Sequence, residues 1–307
     1  MARFNDGAAM TSVVQFTRTY LDSILAEERL IDAVEPDLSM DLWGEKFASP
    51  IMTPAFSHLK TFASERENGM CEYSSAAAQM NQVNWVGMMK NEEYAEIAET
   101  GARTIRIIKP YADHDEIYSR IEFAESHDAF AVGMDIDHIF GDNGRYDICV
   151  GEQMANKSME DIKKFVEFTK LPYVIKGVLS VQDALKCADA GVSGIVVSHH
   201  HGRMPFAMPP LMVLPEILKA LGPDRQMRVF VDCGIDSGYD AFKALALGAD
   251  AVSAGRVLFK GLIGGGTEGV KAQLEEMNTQ LRQMMAYTGC SDLSKMDASI
   301  LHIPSCY

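Results

Sequence analysis

The sequence predicts an α/β protein, a (β/α)8 TIM barrel with an N-terminal helical cap. Three observations predict it. Short β-branched runs alternate with longer helix-patterned stretches from residue 50 onward, the pattern of βαβ units and a parallel sheet. There are eight such runs, enough to close a barrel. No G-x-G-x-x-G turn follows the first run, which weakens the case for an open doubly wound sheet.

In chain order the strand-like runs are PIMTPA (50–55), QVNWVGM (82–88), TIRII (104–108), FAVGMDI (130–136), PYVIKG (172–177), GIVVSH (194–199), RVFVDCG (228–234) and DAVSAG (250–255). Helical patterns lie between them, for example SVQDALKCADAG (180–191) and SGYDAFKALALGA (237–249). Ser180 with Asp183 three residues on makes a helix start. Gly191 and Gly248 stand where helices stop. Residues 1–49 form the N-terminal helical segment, and 142–157 a loop after the fourth strand. GLIGGGTEG (261–269) lacks the Lys-Ser/Thr of a phosphate-binding P-loop. At 307 residues, the whole chain, 1–307, reads as one domain, since barrels of roughly 250 residues are single domains.

The formal net charge is −15, which argues against nucleic acid, because phosphate binding needs a basic stripe, and equally against an anionic membrane surface. The six cysteines are scattered with no C-x-x-C pair, so they read as reduced thiols of a cytoplasmic protein. MARFNDGAAM has no apolar core of a secretory signal, and no run of about 18 apolar residues exists.

Active sites of such barrels are built at the C-terminal ends of the strands. That rule picks out Asp135 and Asp137 after strand four, Lys176 on strand five, His199, His200, His201 and Arg203 after strand six, Asp232 on strand seven, and Gly255 and Arg256 after strand eight. The blander alternatives are a snorkelling Lys176, Asp232 as a helix cap, and Arg256 paired with Asp236. Treated as an extended segment, the triplet puts His199 and His201 on one side and His200 on the other. His200 then aims alone into the barrel mouth. Asp137 and His138 are conceivable ligands, but no spacing matches a metal pattern, so no metal is expected. Glycines after strands seven and eight, with Arg256, point to a bound phosphate.

The segments LPYVIKGVLSVQDALKCADAGVSGIVVSHHHGR and VFVDCGIDSGYDAFKALALGADAVSAGRVLF, with MMAYTGCSDLSKM (284–296), resemble the FMN-dependent α-hydroxy-acid oxidase and dehydrogenase family, which includes the glycolate and lactate oxidases. The likeness is strong over 171–295, looser over 18–56 and weak over 57–142. It implies FMN as cofactor and a small-molecule carboxylate as substrate, oxidised from the 2-hydroxy to the 2-oxo form, in a homo-oligomer of four or more chains. Residue by residue, it implies that Lys176 lies near flavin N1 and C2=O, and that Ser198 touches the flavin. His200 becomes the active-site base, Asp137 the carboxylate that orients it, and Arg203 the partner of the substrate carboxylate. Asp232, Gly234, Gly255 and Arg256 become ribityl and phosphate contacts, and Pro54 and Ala55 backbone contacts to the flavin.

The sequence also departs from the family pattern. His199 stands where the family has Asn and His201 where it has Gly. Asp236 replaces a phosphate-binding arginine, Asn143 aligns near a second substrate arginine, and Lys109 and Arg3 fall near two pocket tyrosines. Lys109, with Arg3, is thus expected as a new cation for the substrate carboxylate. Two alternatives share the flavin cradle or the barrel: an FMN-dependent isomerase or reductase using His200 for acid–base work, and a non-catalytic binder of a phosphorylated ligand.

Overall fold

The computed structural model describes residues 8–59 and 66–304. Its main sheet has eight parallel strands: β1 (Ile51–Met52), β2 (Asn84–Val86), β3 (Thr104–Ile108), β4 (Ala131–Asp135), β5 (Tyr173–Val178), β6 (Gly194–Val197), β7 (Arg228–Val231) and β8 (Ala251–Ser253). Each lies within one predicted run or, for β5, one residue beyond it. The strands pair in the order β1-β8-β7-β6-β5-β4-β3-β2. The remaining seam closes just past β1, where Phe56 bridges Val86 in parallel and the Gly87 N–H donates to the Phe56 carbonyl at 2.7 Å. β3 and β4 are buried at every position, as expected of strands covered on both faces.

Nine helices appear among the described residues: α1 (Ala8–Ser23), α2 (Gly69–Gln79), α3 (Asn91–Ala98), α4 (His114–Ser126), α5 (Met159–Phe168), α6 (Val181–Asp189), α7 (Pro210–Leu221), α8 (Gly238–Ala246) and α9 (Arg256–Tyr287). Ser180 caps α6 by accepting from the Asp183 N–H, and Ser237 caps α8 by accepting from that of Asp240; each such cap contributes about 1 kcal/mol. Asp232 is therefore free of the capping role. The glycine-rich run lies inside α9, which breaks at Gly266 (φ 57°, ψ −137°). Across the break Gly261 and Gly269 meet so closely that a Cβ on either would stand 2.4 or 2.0 Å from the other's carbonyl oxygen. These glycines serve packing.

The helical cap is α1, docked beside the loops after β6 and β7: Arg18 donates to the Gly234 carbonyl at 3.3 Å and pairs with Asp240 at 2.7 Å. The rest of the N-terminal segment is not the helix expected over 1–49: beyond Ser23 the described residues are coil and short strands. Met40–Leu42 and Glu45–Phe47 form a hairpin, turned through Trp43 (φ 47°) and Gly44 (φ 86°), the doubly left-handed turn that suits tight hairpins. Its Trp43 ring sits 5.4 Å from Phe130 and 5.9 Å from Phe230. With Phe47, it packs into the second hydrophobic cluster, which includes Trp85, Ile105 and Val174. Phe130 immediately precedes β4, so the hairpin plugs the N-terminal mouth and leaves the opposite mouth for chemistry.

Candidate active site

A cavity of about 130 Å³ opens at the C-terminal mouth. Pro54, Ala55, Lys176, His200, Asp232, Gly234, Gly255 and Arg256 all line it, so residues up to two hundred positions apart converge as the barrel rule requires. Asp236 lies on the same wall, and Phe56, His201, Cys233, Ile235 and Ser253 complete it. Apart from Ser253, whose side faces inward on β8, these additions are chain neighbours of predicted residues. Ser198 stands just behind, buried, with its Oγ accepting from the His200 N–H at 3.1 Å.

Lys176 is 6% exposed, which rules out the snorkelling alternative. Its Nζ lies 3.5 Å from Asp135, 3.7 Å from Asp232 and 3.8 Å from Asp137. Burial disfavours the ammonium, but these three carboxylates outweigh burial and hold it charged well above its ordinary range. Asp137 also takes His200: Nδ1 lies 2.8 Å from Asp137 Oδ1, which leaves Nε2 as the unanchored nitrogen. Burial pushes the His200 pKa down, and Asp137 and Asp135 together carry it above the ordinary histidine value.

The close approach of Asp137 depends on a glycine. β5 shifts register between Lys176 and Val178, and Gly177 at that bulge has φ +93°, with Asp137 Oδ2 only 2.6 Å from where a Cβ would stand. Any side chain there would displace the carboxylate.

The histidine triplet is not extended. His200 (φ 44°) and His201 (φ 61°) are both left-handed, so the alternation argument fails and these two share the cavity wall. His199 turns the other way and is buried. Its Nδ1 accepts from the Gly202 N–H at 3.0 Å, and its Nε2 lies 2.9 Å from Thr17 Oγ1. The first contact places the ring proton on Nε2, donated to Thr17. Burial holds its pKa below the ordinary value, so His199 is a neutral tie between the β6 loop and α1.

The two expected carboxylate anchors are engaged within the chain. Arg203 donates through Nε to the Asp137 carbonyl at 2.6 Å and through Nη2 to the Phe140 carbonyl at 2.7 Å and to the Asp147 carboxylate. Lys109, 6% exposed, pairs with Asp135 at 2.7 Å. Beside them His138 packs edge-on to His200 at 4.7 Å. Burial and then Lys109 hold His138 neutral. Cys149 lies 3.5 Å from Asp147 and 3.7 Å from His138. Asp135, Asp137, His138 and His200 are close enough to hold an ion, but Lys109 and Lys176 already stand among them as counter-charges. Arg3 lies outside the described residues. Asp135 was visible in the sequence as a strand-four suspect; Asp147 and Thr17 were not, since neither sits at a strand end.

The wall fits a phosphate-bearing, hydroxylated cofactor. Asp232 Oδ1 is buried with no hydrogen-bond partner among the described residues. Such an orphan costs about 1–3 kcal/mol unless a ligand hydroxyl satisfies it. Gly255 and Arg256 open α9 at the cavity, and no atom lies within 4 Å of where a Gly255 Cβ would stand. Backbone N–H groups, the helix dipole and a guanidinium are therefore available to a phosphate, with exposed Asp236 as the opposing charge.

Fold and site together define a (β/α)8 barrel whose C-terminal mouth has the groups to hold a nucleotide-type cofactor. The model of the FMN-dependent dehydrogenase family matches residues 1–157 and 142–303, and the chain belongs to that family of FMN-dependent oxidoreductases. It is 36% identical over 172 residues to an L-lactate oxidase of Nostoc sp., a match covering 56% of this chain and 47% of the relative. With a peroxisomal (S)-2-hydroxyacid oxidase of Arabidopsis thaliana it shares 29% over 295 residues, covering 85% and 80%. With human 2-hydroxyacid oxidase 1 it shares 40% over 145 residues, covering 47% and 39%. The matched segment thus spans less than half the length of several curated relatives. Among solved structures, one assigned as a lactate oxidase of Pediococcus acidilactici superposes with a TM-score of 0.86 at 23% identity, covering 95% of this chain and 87% of that one, a likeness of fold. A mandelate oxidase bearing an FMN adduct superposes with a TM-score of 0.83 at 29% identity, covering 96% and 92%.

Proposed function

We propose that this chain oxidises a hydroxyl-bearing carbon next to a carbonyl group, in a 2-hydroxy acid or a derivative of one, to the 2-oxo product, with FMN as cofactor. The observation that carries the proposal is the His200–Asp137 pair, 2.8 Å long, set beside buried Lys176 at the cavity. FMN, when bound, supplies a two-electron acceptor. Neutral His200 takes a proton from the substrate through Nε2, while Asp137 holds Nδ1–H and stabilises the imidazolium that results. Lys176, kept charged by its three carboxylates, sets a fixed positive charge where negative charge develops. Asp232, Pro54, Ala55 and Gly234 would hold the ribityl chain and ring, with Ser198 buried behind them, and Gly255 and Arg256 would hold the phosphate. Arg203 fixes the loop that carries Asp137.

On this reading the protein works in the cytoplasm as a homo-oligomer, which sedimentation would test. No helix among the described residues is long and apolar enough to cross a membrane. The deciding experiment is a visible spectrum of the purified protein followed by anaerobic titration with a panel of hydroxy acids, esters and amides. Bleaching of the flavin by one of them is the expected result. Bleaching only by a nicotinamide or dithionite would transfer the site to reductase or isomerase chemistry, and a protein that takes up no FMN would overturn the reading.

A further inference from the structure

The loop after β4 gathers three donor atoms that take no part in the proposed flavin chemistry. His138 ends the single 3-10 turn (Ile136–His138) that follows β4, and Cys149 stands in a two-residue strand, Ile148–Cys149, paired antiparallel with Glu152–Gln153. In the sequence, His138, Asp147 and Cys149 make no ligand pattern by spacing, but the folded loop brings them together. His138 Nδ1, Asp147 Oδ2 and Cys149 Sγ form a triangle: 3.6 Å from nitrogen to oxygen, 3.7 Å from nitrogen to sulfur and 3.5 Å from oxygen to sulfur. The nitrogen–oxygen side is too long for a hydrogen bond. As edges of a tetrahedron around zinc, all three are right. With bonds of about 2.0–2.3 Å, the donors of such an ion lie about 3.3–3.6 Å apart, and each edge here is within about 0.2 Å of its value.

The donors are also in states that suit a metal. Burial works against the Asp147 carboxylate, yet Arg203 outweighs it and keeps Asp147 ionised. Asp147 Oδ1 accepts from the Ile148 N–H at 2.9 Å, while Oδ2, which takes Arg203, keeps a second lone pair. Burial, then Lys109, holds His138 neutral. Its Nε2 faces Asp135 Oδ2 at 3.9 Å, the side on which metal-bound histidines find an outer-shell carboxylate. Cys149 is half-buried, and its neighbours Ile148 and Val150 are 66% and 75% exposed, so an ion reaches the sulfur from the loop surface. It displaces the thiol proton as it binds. We propose that His138, Asp147 and Cys149 form a binding site for one zinc-class divalent cation, with water as fourth ligand, which ties together the two ends of the loop after β4. A nitrogen, oxygen and sulfur set favours such an ion over magnesium or calcium, which take oxygen donors. The site lies beside the flavin cradle, not in it, so the proposal does not rest on the flavin reading.

The test uses untagged, full-length protein as purified. Zn²⁺ affinity is read by competition with a chromophoric indicator, and Cd²⁺ in its place reports sulfur ligation through the ultraviolet thiolate-to-cadmium band. One ion per chain is expected, with micromolar or tighter Kd and the cadmium band present. Cys149→Ser should abolish the band. Cys149→Ser and His138→Gln should each weaken Zn²⁺ at least about tenfold, the least that even an outer-shell partner is worth, and Cys71→Ser should change neither readout. A second measurement needs no variant: Zn²⁺, but not Mg²⁺, should slow alkylation of Cys149, followed by peptide mass, at least about tenfold while leaving Cys71 nearly unchanged. A cadmium band that survives Cys149→Ser, Zn²⁺ binding no tighter than in the millimolar range, or alkylation of Cys149 unslowed by Zn²⁺ would each overturn the proposal.

Discussion

Replacing Gly177 by alanine strikes the contact on which the site depends. A Cβ at this position would stand 2.6 Å from Oδ2 and 2.8 Å from Cβ and Cγ of Asp137. The left-handed backbone costs an L-residue about 1–2 kcal/mol, and overpacking adds roughly 1–3 kcal/mol unless the carboxylate moves. A net loss of about 2–5 kcal/mol, set against an unfolding entropy of about 2.1 cal/mol/K per residue, lowers Tm by roughly 3–8 °C. The carboxylate's other oxygen holds His200 at 2.8 Å, so relief of the clash swings the imidazole, and a displacement near 1 Å costs on the order of 10²-fold in rate. FMN content should be unchanged. Thermal unfolding followed by flavin fluorescence, paired with stopped-flow anaerobic reduction, measures both effects. An alanine variant with wild-type Tm and wild-type reduction rate would refute the claim that this gap positions Asp137.

Three further outcomes are expected. His200→Ala should keep its flavin and lose roughly 10²–10⁴-fold in reduction rate; retention of activity would remove His200 from the base role. Because His200 acts as base only when neutral and its pKa is raised, activity is lost as pH falls through that raised value. The acid limb of kcat/KM should therefore lie above the ordinary 6.5, and Asp137→Asn should move it to lower pH with a reduced plateau; an unmoved limb would show that another group titrates. Arg256→Ala should weaken FMN far more than riboflavin, measured by fluorescence quenching, since only FMN carries the phosphate that Arg256 is placed to meet; equal weakening of both would move the phosphate elsewhere.

The barrel was legible because its evidence is local. β-branched runs and capped helices such as Ser180–Asp183 announce themselves within a dozen residues, and the strand-end rule then gathers Lys176, His200, Asp232 and Arg256 without any knowledge of distances. Long-range closure decides the rest. The histidine triplet is not extended because the chain turns left-handed soon after β6, so His201 joins His200 and His199 meets Thr17. The hairpin at 40–47 carries a signal in the sequence, Gly44 flanked by the apolar–polar alternation Met40-Asp41-Leu42 and the run Glu45-Lys46-Phe47, against the expectation of helix. Asp147 carried none: it sits in an irregular loop, and only the folded loop brings it onto Arg203. The pairing of Lys109 with Asp135 could be assigned only from the 2.7 Å contact.

The tie between Thr17 and His199 spans 182 positions, and Arg18 reaches Gly234 and Asp240 farther still. The partners of α1 are made 182 to 222 positions after it, so α1 cannot fully seat until seven of the eight barrel strands have been translated. The turn that carries the imidazoles gains its tie to α1 only then, which makes the order of this mouth a product of late, long-range docking.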